Sequence, residues 1–404
     1  MEARLRNNKF DLLLTLIPLT LALGAVGGAL QVTRIVGIVL FPLLLSHYRC
    51  AKPFVNSYLI WIFFFYIFCL VSLVWTPDRS EGVKELFYYF VHFAIFFEII
   101  VFSKKANNAL TSISKGWLWA VSLTLIVALW EFTTDHHLSY AYDDSDLMMN
   151  AGGGMVVQRL FASVTFGNPN AYVTFLCFAF PFLLYGLLVS SNVKNTIWSI
   201  VAILLTIVTL LLDASRGGIL AMGIMGVVFL IMTPKSKHFN FLIVLFVLLL
   251  GVVLYSYKDT IFLVIGLRAA DGAMFSDDAR SVIWTNALKA FWDTGGIGTG
   301  IGGMQKAMAE INKSGIHVTH NMMLEVLLQY GVLFFLVYLC FLVKLALRSL
   351  RIKDKPVKIT MMAALIAMPV YTIITSQYLL DPVLFISLSS LIVFAYYGRF
   401  RPVC

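Results

Sequence analysis

Residues 58–74 read Tyr-Leu-Ile-Trp-Ile-Phe-Phe-Phe-Tyr-Ile-Phe-Cys-Leu-Val-Ser-Leu-Val, an apolar run without one charge, and Phe239–Tyr255 is a second of the same kind. A helix that is apolar on every face over such a length belongs in lipid. The whole 404-residue chain agrees: 60% is hydrophobic, 33 residues are Phe and 13% are charged, where a globular domain has roughly a quarter charged. An ordinary soluble domain is excluded. Stretches of about 20 apolar residues with short links use up nearly the entire length. The expected fold is all-α, one polytopic integral membrane domain over 1–404 with about twelve transmembrane helices, centred near residues 20, 40, 65, 93, 124, 179, 204, 224, 248, 333, 369 and 390. The basic start (Arg4, Arg6, Lys9) precedes a run longer than a signal-peptide core, so the first helix is expected to stay attached.

The charges sort by side. With both termini cytoplasmic, 19 of the 30 basic residues fall on cytoplasmic links and ends, among them Arg49, Lys104, Lys194, Lys344, Arg348 and Lys355, against Glu2, Asp11 and Asp354. That side carries +16 and the other −7, the pattern of the positive-inside rule. The net +9 is therefore topology, and no nucleic-acid partner is implied. The five cysteines lie in apolar runs or beside basic links and form no CxxC spacing, so neither a disulfide framework nor a structural metal site is expected. Two outward segments are long: 135–167, acidic with a triple glycine at 152–154, and 258–320, with apolar residues at helical spacing around Val282, Trp284, Leu288 and Trp292. The second reads as folded against the membrane face and contributing to an active site.

Charged residues at a membrane are costly, which makes each a functional candidate. Arg159 leads into Gly167-Asn168-Pro169-Asn170, where Pro169 marks a helix start; a snorkelling arginine beside a helix cap is the alternative. Asp213-Ala214-Ser215-Arg216-Gly217-Gly218 is a polar turn between two apolar runs. A guanidinium there matches phosphate oxygens and never loses its charge, although a local pair between Asp213 and Arg216 competes. Arg280-Ser281-Val282-Ile283-Trp284 is followed by a glycine run, Gly295 to Gly303. Its GxGxxG spacing follows a helix rather than a strand, so it reads as a loop approaching a ligand or another helix closely, not as a dinucleotide site. His320 opens the tenth span with Asn321 and Glu325. An imidazole at that boundary suits a general base, and a helix-capping histidine is the bland alternative. Glu98 and Glu131 are buried polar residues to which the sequence assigns no role.

This ordered set, spanning 159–331, resembles the O-antigen ligase and O-antigen polymerase superfamily. The matching parts are Gly167-Asn168-Pro169-Asn170, Ser215-Arg216-Gly217-Gly218, Arg280 with Ile283-Trp284, the glycines 298, 300 and 303, and His320-Asn321 with Glu325 and Gly331. The resemblance implies a metal-independent, inverting glycosyltransferase of the GT-C class, without a cofactor, at the outer face of the bacterial cytoplasmic membrane. Its donor would be an undecaprenyl-pyrophosphate-linked oligosaccharide or polysaccharide, and its acceptor a sugar hydroxyl of a glycan or of the lipid A core. In that picture Arg216 and Arg280, with Arg159, hold the pyrophosphate, His320 takes the acceptor proton, and Asn321, Glu325, Asn170 and Asp213 support. The wording of the motifs leans to a capsular or O-antigen polymerase over a ligase. A twelve-helix transporter is the competing class, but no internal repeat is found and the polar motifs gather at one face rather than at mid-depth.

Overall fold

The computed structural model describes residues 8–139, 148–150, 156–158, 161–213, 215–233, 278–311 and 317–398. Among these the chain is helical, apart from one short antiparallel ribbon of Met148–Asn150 with Val156–Gln158. The chain begins with α1 (Lys9–Leu19), α2 (Val32–Ser72), α3 (Arg79–Ser103) and α4 (Ala109–Thr134). Next come α5 (Pro169–Val189), α6 (Val193–Leu212) and α7 (Arg216–Met232). Further along stand α8 (Asp278–Asp293), α9 (Met304–Ile311), α10 (Met322–Leu350), α11 (Lys355–Tyr371) and α12 (Pro382–Tyr397).

Six of these are long and apolar enough to cross a membrane, and three further apolar helices, Tyr58–Ser72, α7 and α12, are shorter. The protein is a multi-pass membrane protein. The expected span near 248 lies outside the described residues. The span placed near residue 20 is displaced: α1 gives way to a 3-10 turn over Thr20–Leu23, and the chain reverses through Gly24, Gly27 and Gly28, all at positive φ. Such backbone suits glycine and stops a helix that hydrophobicity alone would continue.

Helix ends carry the side chains that the chemistry of free N–H groups calls for. Asn8 and Asp11 form a reciprocal capping box; Asp78, Asn168, Asn192, Ser215, Asn321, Asp354 and Asp381 each accept from a first-turn amide. Pro169, Lys355-Pro356 and Pro382 place proline in the first turn, where no amide is lost.

The chain turns back within α2. Its first half runs alongside α3 in the same sense, Arg34 meeting His92 and Gly37 meeting Ile95. Its second half runs the opposite way, Tyr58 against Phe96, the Tyr66 hydroxyl on the Leu86 carbonyl and Leu73 against Gly82. Two spans thus flank α3, as the separate centres at 40 and 65 require. Lipid tails are as apolar as leucine, so packing rather than water exclusion joins the helices. α5 forms the centre: Phe182 stacks on Trp117 of α4 at 5.2 Å, and Phe178 and Phe182 meet Tyr371 of α11 and Phe394 of α12.

One end of the bundle carries Lys104, Lys194, Arg348 and Lys355; at the other lie the starts of α3, α5, α7, α10 and α12. Among the described residues, the motif residues of the sequence fall at this second, motif-bearing end.

Candidate active site

The motif-bearing end is built on a deliberate break in α10. Gly331 sits at φ 75 and ψ 178, far from helical values, and frees the carbonyls of the preceding turn. The glycine run fills that break. Thr299 N donates to Leu328 O at 2.8 Å, Gly300 N to Gln329 O at 3.0 Å, and Val332 N to Gly296 O at 3.0 Å. A side chain on Gly298 would strike the Gly331 amide, so two backbones meet where only hydrogen fits. The other flank of the loop docks on the α2–α3 connection: Ile301 N donates to Ser72 Oγ, Thr76 Oγ1 to Ile301 O, and Trp75 Nε1 to Gly298 O. Beneath it the buried Glu85 carboxylate accepts from Gly302 N at 2.9 Å and from Gln329 Nε2, while Tyr89 and Tyr330 share a hydroxyl contact. Of the two uses read from the spacing, the glycine loop serves close approach to another helix.

This staple fixes the platform for α8. Ile283, Ala287, Ala290 and Phe291 pack against Met304, Met308 of α9 and Leu328 of α10. The expected contact face is rotated: Val282, Leu288 and Trp292 are exposed, Trp292 most of all, because the small residues Ala287 and Ala290 let α8 approach more closely on the other side. α8 is folded and docked, but with those three apolar residues turned outward.

Trp284 ties α8 to the entry of α10, its Nε1 donating to Thr319 O at 3.0 Å. Arg280 lies one turn earlier on α8, the helix that this bond ties to the His320 turn, and its positive charge is felt at His320. His320 holds φ 47, a left-handed conformation uncommon outside glycine, and its Nδ1 is buried without a hydrogen-bond partner among the described residues. Burial first, and then the Arg280 charge, push the imidazole below its ordinary range, which keeps it neutral and able to accept a proton at neutral pH. Asn321 caps α10 through Met323 N and Leu324 N, and Met322 N donates to Thr372 O. Glu325 points away from the turn and accepts from Tyr378 N at 3.3 Å, which holds the α11–α12 connection.

Arg216 stands in the first turn of α7, exposed at the same end, with Ser215 as its cap. Gly217 beside it abuts Ile374, and Met322 after the His320 turn bonds Thr372 O, so both motifs adjoin the 372–377 connection. Asp213 is fully buried and accepts from Ala162 N at 2.7 Å. Arg159 lies outside the described residues, but the chain just after it is clamped: Ser163 N and Val164 N both donate to Glu131 Oε2 at 2.9 Å, and Thr165 Oγ1 reaches Ala22 O. Val164 takes φ 52 in this grip. Asn170 follows the Asn168–Pro169 cap, its amide on Asn168 Oδ1. The Trp284 bond thus joins the helix of Arg280 to the turn of His320, Arg216 stands beside the connection that this turn meets, and Asn321, Glu325 and Asp213 hold backbone.

Two roles escaped the sequence, those of Glu131 and Arg34. Glu131, flagged there without a function, is the clamp just described, with His137 Nδ1 3.7 Å from its other oxygen and the His137 ring stacked on Phe161. Glu98 stays buried with no hydrogen bond to its carboxylate among the described residues. Arg34 was not singled out, although a charge inside the apolar run at 32–49 was a visible signal. It is 4% exposed and donates to His92, Ala29 O and Leu380 O while lying over Tyr88, which pins two connections of this end together.

Residues 173–339 match the O-antigen ligase family. Over 299 residues the chain is 25% identical to the teichuronic acid biosynthesis protein TuaE of Bacillus subtilis (strain 168), a match that covers 70% of this chain and 59% of that protein. The chain thus spans about three-fifths of the length of this curated relative. The likeness to the O-antigen ligase and polymerase superfamily read from the motifs holds, and the matched region contains Arg216, Arg280, His320 and Gly331.

Proposed function

We propose that this chain is a membrane glycosyltransferase of surface-polysaccharide assembly, taking a glycan from undecaprenyl pyrophosphate and placing it on a sugar hydroxyl. The observation that carries the reading is the bond from Trp284 Nε1 to Thr319 O, which seats the helix of Arg280 on the turn of the half-buried His320 at the motif-bearing end. The basic end faces the cytoplasm in this reading, with both termini on that side, and the site opens outward.

The acceptor hydroxyl oxygen attacks the anomeric carbon from the face opposite the leaving group, forming the new glycosidic bond as the old carbon–oxygen bond breaks. The electron pair of that bond leaves on the pyrophosphate, and the acceptor proton passes to the free nitrogen of His320. This single displacement inverts the anomeric centre. Arg216 and Arg280, with Arg159, neutralise the charge growing on the pyrophosphate, which arginines in a partly dry site do without a metal ion. His320 sits in a left-handed turn, and a ring nitrogen that spends no lone pair on a protein donor is one that a bound acceptor can use once it has replaced what covers it.

Between the two acceptors, the similarity to a protein named for teichuronic acid biosynthesis favours polymer assembly over attachment to lipid A core. The test is the surface and lipid-linked glycan profile of a deletion strain that carries the natural chain or His320→Ala. Single repeats in place of long chains support a polymerase. Long lipid-linked chains with an unmodified acceptor make it a ligase. An unchanged profile from a well-expressed variant would sink the assignment of His320 and favour a transporter.

A further inference from the structure

A lateral groove of about 560 Å³ opens between the second half of α2, α3 and α10. Phe65, Phe93, Phe96, Phe334 and Phe341 line its wall, and the charges that line it, Lys344 and Arg348, sit at its basic end. A second hollow shares Lys344 and Arg348 and adds Arg351, so an apolar trough and a cationic mouth meet on one pair of side chains. Among the described residues, no acidic side chain lines either hollow. Arg348 is held at the mouth by a bond from Nη1 to the Tyr58 hydroxyl at 3.2 Å.

We propose that this groove binds an anionic phospholipid, acyl chains along the aromatic wall and phosphate on Lys344 and Arg348. Phosphate oxygens match the guanidinium fork, and basic pockets between membrane helices at the cytoplasmic face attract such headgroups. The site is distinct from the donor site. Past the break at Gly331, the stretch from Val332 to Arg348 alone rises roughly 24 Å, so a phosphate at this mouth is not one held beside His320. The inference rests on the orientation proposed above, in which the basic end faces the inner leaflet.

The test is native mass spectrometry of the purified full chain in phosphatidylcholine micelles titrated with phosphatidylglycerol. The natural chain and His320→Ala should retain phosphatidylglycerol equally, which separates this site from the transfer reaction. Lys344→Gln with Arg348→Gln should lower retention by roughly fivefold for each charge removed, and Arg348→Lys should keep most of it. Lys194→Gln, exposed at the same end, should change nothing. Val337→Trp, which plugs the groove and leaves its charges in place, should also lower retention and guards against a misfolded double variant. Equal retention by all variants, no preference for phosphatidylglycerol over phosphatidylcholine, or its displacement by a polyprenyl phosphate would each overturn the proposal.

Discussion

Trp284 Nε1 donates to the carbonyl of Thr319 at 3.0 Å, and this bond joins the helix that carries Arg280 to the turn that carries His320. The two residues belong to different elements, so their pairing depends on how α8 is seated. A buried N–H and C=O left unmet are worth about 1–3 kcal/mol. Trp284→Phe keeps the ring and removes the donor. Glycan transfer by this variant should fall about tenfold with normal expression; a rate equal to that of the natural chain would mean that the bond does not set the pair.

His320→Ala should reduce transfer by roughly 10²- to 10⁴-fold, the range of a removed general base. Lipid-linked donor should still bind, because the arginines are intact. If a radiolabelled donor binds the variant normally and no product forms, the loss is in the chemical step.

The same pairing fixes the pH dependence. Burial and Arg280 both disfavour imidazolium, so His320 takes a proton only below its ordinary 6.5, and the acid limb of the rate lies below that value. In Arg280→Gln the repelling charge is gone, the imidazole regains protons more easily, and the limb moves to higher pH. Arg280→Lys keeps the charge and leaves the limb in place while the rate falls for want of the fork. A rate profile of all three chains between pH 5 and pH 8 tests this; an Arg280→Gln limb that stays put would remove Arg280 from the surroundings of His320.

Much of this end was legible beforehand. The Asn168-Pro169 start of α5, the glycine run and the polar break between α6 and α7 are local chemistry, in which a few neighbouring residues decide the backbone. The partner of the glycine run was not, because Thr299 and Gly300 bond to carbonyls that exist as free acceptors only once α10 breaks at Gly331. Nor was the Glu131 clamp, whose amide partners lie 32 and 33 residues further along the chain. Which face of α8 packs was not legible, because Val282 and Trp292 share its helical spacing with Ile283 and Phe291, and the small Ala287 and Ala290 decide which side comes close to α9 and α10.

Gly331 itself should be intolerant. At φ 75 any side chain is strained, and a Cβ there would meet the Ile297 carbonyl that the stapled loop presents. Gly331→Ala should lose about 1–3 kcal/mol, read as a lower melting temperature in detergent. Unchanged melting would show that α10 can straighten and release the loop.

Glu131 offers the cleanest separation of positioning from chemistry. Its Oε2 receives two amides of the segment that follows Arg159, and no part of it belongs to the proposed reacting groups. Glu131→Gln keeps an acceptor oxygen for Ser163 N and Val164 N, so stability and transfer should change little. Glu131→Leu is close in size and leaves both amides unmet in a dry site, at about 1–3 kcal/mol for each. With the clamp gone, the chain at Arg159 loses its anchor. Donor affinity should then fall with the pH profile of the residual rate unchanged, since His320 and Arg280 stay where they are. A shift in that profile would mean that the clamp reaches the His320 turn, and an unaffected donor affinity would remove Arg159 from the pyrophosphate site.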